Sequence, residues 1–211
     1  MVPLIYQIVR FVCRVLLGMR ARLVVEGQEH LPATGGYILA SNHVSNWDPV
    51  ALSLGSPGHL IGALGKQELF ELPILGRIAT AVGGIPVRRG EADREALARC
   101  KAVLQSGQPL IILPEGTRSR SGELLEGKHG IIAMAQLANV PIVPAAVIGT
   151  KTLGWPWRRS TVIVRYAAPI VVDRKIKGHE GRQLALDTTM HQIASMLPPT
   201  MQGFYKQALS V

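Results

Sequence analysis

The chain has 211 residues, 47% of them apolar and only 18% charged, with a formal net charge of +9. That composition excludes a disordered chain, and the length supports one domain with ample sequence for a core. The positive balance suits an anionic membrane surface or a phosphorylated substrate better than nucleic acid, because there is no basic run and three Phe and four Tyr give few platforms for base stacking.

The first predicted element is a helix over residues 3–20, PLIYQIVRFVCRVLLGMR. Arg10 and Arg14 interrupt its apolar run, so it falls short of the ~20 residues a spanning helix needs, and mid-segment charges do not fit a signal peptide. On a helical wheel Gln7, Arg10, Arg14 and Gly18 share one face, and Ile5, Ile8, Val12, Val15, Leu16 and Met19 fill the other. Two readings follow: a helix lying in a membrane interface with its cations on the polar side, or a core-packing helix whose polar face is solvated. The domain boundary is drawn here, with residues 1–21 as an amphipathic interfacial helix and 22–211 as the main domain.

Short apolar strands then alternate with helical stretches. Strands are expected at 22–27 and 37–42, and Asp48-Pro49 opens a helix, with Asp as cap and Pro at the first helical position. A strand at 59–64, a helix at 72–82 and a strand at 83–87 follow. Residues 91–106 give a clear amphipathic helix, acidic at its start and ended by Gly107. A buried strand at 109–116 runs into a loop, a helix covers 130–138, strands cover 140–149 and 160–167, and the stretch from about 179 to 209 is helical with a break at Pro198-Pro199. This alternation predicts an α/β fold with a largely parallel sheet flanked by helices. There is no repeat, low-complexity segment or linker. Two cysteines, Cys13 and Cys100, make no disulfide framework and read as apolar fillers in a reducing compartment.

In such a sheet, ligand-handling residues gather at the carboxyl ends of strands. Three predicted strand ends carry chemistry: Ser41, Asn42 and His43; Arg88 and Arg89; and Glu115, Gly116, Thr117 and Arg118. In NHVSNWD, residues 42–48, His43 and Asp48 stand five positions apart. They read either as a proton acceptor with its orienting carboxylate, or as a loop histidine beside an unrelated helix cap. The absence of G-x-S-x-G leaves no nucleophile elbow, so a proton acceptor here would activate a substrate hydroxyl. One His and one Asp without a third ligand give no metal site. LPEGTRSRSGE, residues 113–123, offers backbone approach at a glycine and donors suited to a phosphate, or is a solvated turn.

Taken together, NHVSNWD, GGIPVRR (83–89), LPEGTRS (113–119) and VPIVPAAV (140–147) resemble, in order and spacing, the four motif blocks of the glycerolipid acyltransferases. The resemblance covers roughly residues 22–170, with two departures: Arg88 stands where the second block often has an acidic or polar residue, and Leu113 where the third often has Phe. It implies that His43 is the general base and Asp48 its orienting partner. Arg88, Glu115, Gly116, Thr117 and Arg118 would form the acceptor-phosphate site, with Lys66 as a further cation. The donor would be acyl-CoA or acyl carrier protein, and the acceptor lysophosphatidic acid, giving phosphatidic acid without a cofactor or an acyl-enzyme. It also implies a monotopic protein on the cytoplasmic face of the cell membrane. Arg10 and Arg14 would meet anionic headgroups, and Trp155 and Trp157 would make either a second membrane contact or a loop folded onto the domain. Other acceptors within the resemblance are glycerol 3-phosphate, another lysophospholipid or a lyso-aminolipid. A non-catalytic membrane-binding protein is the alternative of a different class, against which the intact His43–Asp48 pair weighs.

Overall fold

A computed structural model describes residues 3–56, 60–88, 93–153, 160–176 and 178–206. The apolar periodicity of the N-terminus becomes α1 (Leu4–Arg20), which passes without a loop into β1 (Ala21–Glu26). β2 (Ile38–Ser41) and α2 (Asp48–Gly55) follow, then β3 (Gly62–Lys66), a short α3 (Gln67–Phe70), α4 (Leu75–Ala81) and β4 (Gly84–Val87). The second half holds α5 (Arg94–Gln105), β5 (Leu110–Ile112), α6 (Gly130–Ala138), β6 (Ile142–Ile148), β7 (Ser160–Tyr166) and α7 (Gly178–Ser195), with two short 3-10 turns after Pro198.

The strands form one seven-stranded sheet in the order β1-β7-β6-β2-β5-β3-β4. All neighbouring pairs are parallel except β6 and β7, which are antiparallel. β2 to β6 therefore point one way, and their carboxyl ends share one edge of the sheet. Side chains alternate across the central strands: Ile38, Ala40 and Leu110 face a core closed by α5, α6 and α7, while Leu39, Ile111 and Val143 face a second core closed by α1 and α2. The α/β sandwich expected from the sequence is the fold observed.

Some boundaries differ from the expected ones, for identifiable reasons. The third strand starts at Gly62 and runs on to Lys66, not 59–64. The expected helix 72–82 is shorter and begins at Leu75, after the separate α3. Gly76 packs directly on the backbone of Phe70, where a Cβ would lie 2.2 Å from its carbonyl oxygen, so the chain doubles back between the two helices. α5 begins at Arg94, where the Asp93 side chain caps it by accepting from Ala96 N at 3.0 Å. Asp48 is the first residue of α2 and not its cap, which is Trp47.

α1 lies against the domain along one seam, with Tyr6 and Leu17 buried and Cys13 half-buried. Tyr6 Oη meets Ser53 Oγ at 2.9 Å. Arg10 departs from its expected place beside headgroups. Its guanidinium turns inward and donates to the carbonyls of Ser56 (2.5 Å) and Leu54 (3.4 Å), the free end of α2, where a cation is favoured. Arg14 stays exposed. An apolar arc of the helix is open to solvent, with Leu4 at 72%, Phe11 at 68% and Ile8 at 52% exposure, and Val12, Val15 and Met19 exposed beside them.

Candidate active site

The site begins where β2 ends. Asn42 donates from Nδ2 to Val147 O at 2.9 Å and accepts at Oδ1 from Val147 N at 2.8 Å. Its side-chain amide copies a strand pair one residue past the end of β2 and fixes the chain against β6 as it leaves the sheet. His43 follows at the carboxyl edge, buried to 6% exposure. The turn of residues 43–48 then brings Asp48, fully buried, back beneath it. His43 Nδ1 lies 3.0 Å from Asp48 Oδ2. The same oxygen accepts from Val44 N at 2.6 Å and Ser45 N at 2.7 Å, and Oδ1 accepts from the Thr150 hydroxyl. A carboxylate is acceptor-only, so the histidine must present Nδ1–H to it, which leaves the lone pair on Nε2. Among the described residues Nε2 has no hydrogen-bond partner, and it can accept a proton from a hydroxyl placed against it.

His43 is also clamped along its backbone by the loop after β5. Its N–H donates to Glu115 Oε1 at 2.6 Å, and its carbonyl accepts from Ser119 N at 2.7 Å. Glu115 is 2% exposed, and its second oxygen accepts from Leu125 N at 3.0 Å. Glu115, expected at the acceptor phosphate, therefore stands behind the histidine, with both oxygens engaged by backbone and its side chain withdrawn from the cleft. Burial pushes its carboxyl up to about 7, against the downward pull of the Leu125 and His43 N–H groups.

The cationic residues line the same edge. Gly116, Thr117 and Arg118 are exposed on the β5 loop, Lys66 ends β3 and Arg88 follows β4. With strands about 4.8 Å apart, Lys66 stands two strands (~10 Å) and Arg88 three strands (~14 Å) from the β2 end at the backbone. The β5 loop is therefore the nearest source of donors to His43, and Arg88 the most distant. Arg88 N is tied to Asp93 Oδ2 at 3.1 Å. Trp155 and Trp157 lie outside the described residues. Two residues escaped the sequence reading. Lys128 lies over Gly116, its Nζ 3.1 Å from where a Cβ would stand, and Thr150 reaches Asp48. Thr150 follows a strand end, the position rule that located the others.

Beside α2, on the α1 face of the sheet, lies an apolar cavity of about 310 Å³, lined in part by Val9, Cys13, Pro49, Val50, Leu64 and Phe70. Its walls come from α1, from α2, whose Pro49 and Val50 follow Asp48 in the chain, and from β3.

Comparison with known proteins gives a consistent picture. A family model described as Acyltransferase matches residues 22–148. The 1-acyl-sn-glycerol-3-phosphate acyltransferase of Bacillus subtilis is 31% identical over 140 residues, which are 66% of this chain and 69% of that protein. A chloroplastic 1-acyl-sn-glycerol-3-phosphate acyltransferase of Arabidopsis thaliana is 33% identical over 76% of this chain, and this chain spans only 45% of its length. The crystal structure of the 1-acyl-sn-glycerophosphate acyltransferase of Thermotoga maritima superposes with a TM-score of 0.72 at 24% identity, covering 90% of this chain and 79% of that one, a likeness of fold.

The buried Glu115 generates a prediction about stability. Its carboxyl rises from the ordinary 4.5 to about 7 on folding, so between those values the folded chain holds a proton that the unfolded chain has released. Its contribution is greatest below pH 4.5, falls as the pH rises to about 7, and is level above that. Denaturant melts of the parent and of Glu115→Gln across this range check it. The difference in stability between the two should change steadily from pH 4.5 to 7, the parent losing ground; a constant difference would contradict the assignment.

Proposed function

The chain belongs to the acyltransferase family, and we propose that it moves a fatty acyl group from an acyl thioester, of coenzyme A or acyl carrier protein, to the free hydroxyl of 1-acylglycerol-3-phosphate, giving phosphatidic acid. The observation that carries this reading is the His43–Asp48 pair with its free Nε2, on the same sheet edge as Arg118 and Lys66. The names of the Bacillus and Arabidopsis relatives support the acceptor.

Nε2 of His43 takes the proton of the acceptor hydroxyl as the oxygen bonds to the thioester carbonyl carbon. Asp48 holds the ring in the required tautomer and stabilises the imidazolium that forms. The carbon–sulfur bond then breaks, and the departing thiolate takes the proton back from His43. Arg118, in the loop after β5, the strand next to β2, is the cation best placed for the acceptor phosphate, with Thr117 and the open backbone at Gly116 beside it. Lys66 is a second cation two strands away. The apolar cavity beside α2 suits an acyl chain.

The acceptor and the product are amphiphiles, so the enzyme works at a membrane surface. α1 docks it there through the exposed apolar arc of Ile8, Phe11, Val12 and Val15, with Arg14 at the edge of the arc. Among the described residues no helix is long and apolar enough to cross a membrane. Leu72 and Ile74, between α3 and α4, and Leu75 at the start of α4 are further exposed apolar side chains.

Two experiments test this reading. Purified protein is incubated with an acyl thioester and a panel of lysolipids, and the products are identified by mass. Phosphatidic acid is the expected main product, and His43→Ala should lower its rate by about 10²- to 10⁴-fold with an unchanged melt. Turnover near the parent's in that variant, or acylation of a different acceptor alone, would overturn it. For docking, Ile8→Asp with Phe11→Asp should abolish co-sedimentation with anionic vesicles and leave the melt intact, because both side chains are already exposed. Arg14→Gln should weaken it by about fivefold, the ~1 kcal/mol of one basic residue near such a surface. Undiminished sedimentation of the double aspartate variant would refute the docking face.

A further inference from the structure

Thr150 stands 102 residues from Asp48 in sequence and outside all four motif blocks, yet its hydroxyl supplies the sole donor to Asp48 Oδ1 among the described residues. Its position is built by the backbone before it. Gly149 adopts φ +90°, and a Cβ there would lie 2.2 Å from Thr161 O, so glycine is required for the chain to turn out of β6 at that point. The turn delivers Thr150 into the interior, 2% exposed, against a carboxylate that is fully buried. Because a carboxylate only accepts, the direction of the bond is fixed, from Thr150 to Asp48.

The consequence lies at the other oxygen. Oδ2 carries three bonds, from His43 Nδ1 and from the N–H groups of Val44 and Ser45. Those three alone leave the carboxylate plane free to swing about its Cβ–Cγ bond, since all pull on a single atom. A donor on Oδ1, from the turn that follows the neighbouring strand β6, sets the plane. A buried anionic oxygen without a donor is costly, and with Thr150 removed the carboxylate turns to share its remaining donors between both oxygens. The bond to Nδ1 then loses its alignment.

We propose that Thr150 is a positioning residue of the acyl transfer: its hydroxyl sets the plane of the Asp48 carboxylate so that Oδ2 stays aligned on His43 Nδ1. This rests on His43 acting as the base. Thr150 touches no reacting atom, and its effect passes entirely through Asp48. It also joins the end of β6 to the start of α2.

The test compares Thr150→Val, which keeps the shape and removes the donor, with Thr150→Ser, which keeps the donor, and with His43→Ala. Acyl transfer to lysophosphatidic acid is followed by product mass, beside a thermal melt of each protein. Thr150→Val should lower kcat by about 10- to 100-fold, the worth of a hydrogen bond to a charged group, with KM for the acceptor within about twofold of the parent. Thr150→Ser should recover most of that loss. Should Thr150→Val fail to give a cooperative melt, Thr150→Ala against Thr150→Ser carries the same comparison. A kcat within about twofold of the parent in the donorless variant, a loss confined to KM, or a serine variant as impaired as the valine one would each overturn the proposal. An active His43→Ala protein would instead overturn the reading of His43 as the base.

Discussion

The buried carboxylate of Asp48 is the point about which the site is organised. It is closed off from solvent and receives donors from three directions: the imidazole of His43, two N–H groups of the turn that follows it, and the hydroxyl of Thr150 across the sheet. A charge in such surroundings is stable only while its donors are in place. It also sits at the first turn of α2, where the unpaired N–H groups favour an anion, while Arg10 answers the carbonyls at the other end of the same helix. A helix of only eight residues is thereby held at both ends by opposite charges, and its N-terminal carboxylate fixes the ring of His43.

The parallel sheet converts this local arrangement into a site. Because β2 through β6 run the same way, the histidine, the loop of Arg118, Lys66 and Thr150 all emerge at one edge although they are spread over more than a hundred residues. The loop after β5 serves two purposes. Its buried members, Glu115 and Ser119, grip the backbone of His43 from both sides, and its exposed members, Gly116, Thr117 and Arg118, face outward. The loop that carries Arg118 is thus tied to the backbone of His43. A separate apolar cavity lies beside α2, lined by side chains of α1, α2 and β3.

Much of this was legible in the sequence because it follows from short-range patterns. Alternating strand and helix periodicities gave the α/β sheet, and α6 and β7 fall close to where they were expected. The five-residue spacing of His43 and Asp48 placed both on one turn. What the sequence hid depends on partners distant along the chain. The helical wheel put Arg10 and Arg14 on one face, but a wheel cannot tell which of them has a neighbour; Arg10 finds carbonyls 44 and 46 residues away, while Arg14 finds solvent. Glu115 is an acidic residue three positions before Arg118, which invites an outward role, and only its two backbone donors reveal that it faces inward. Thr150 carries no chemical signal of its own, and its meaning comes from the Gly149 turn that aims it.

The most direct measurement of the central claim, that Asp48 holds His43 with its base nitrogen free, is the tautomer of the imidazole in the folded protein. Two-bond proton–nitrogen correlation spectra of protein labelled with ¹⁵N-histidine, with the signal assigned by its loss in a His43 substitution, report which ring nitrogen carries the proton. At a pH where the enzyme is active and the ring is neutral, the bond to Asp48 predicts a protonated Nδ1 and an unprotonated Nε2. A neutral ring with its proton on Nε2 would contradict it.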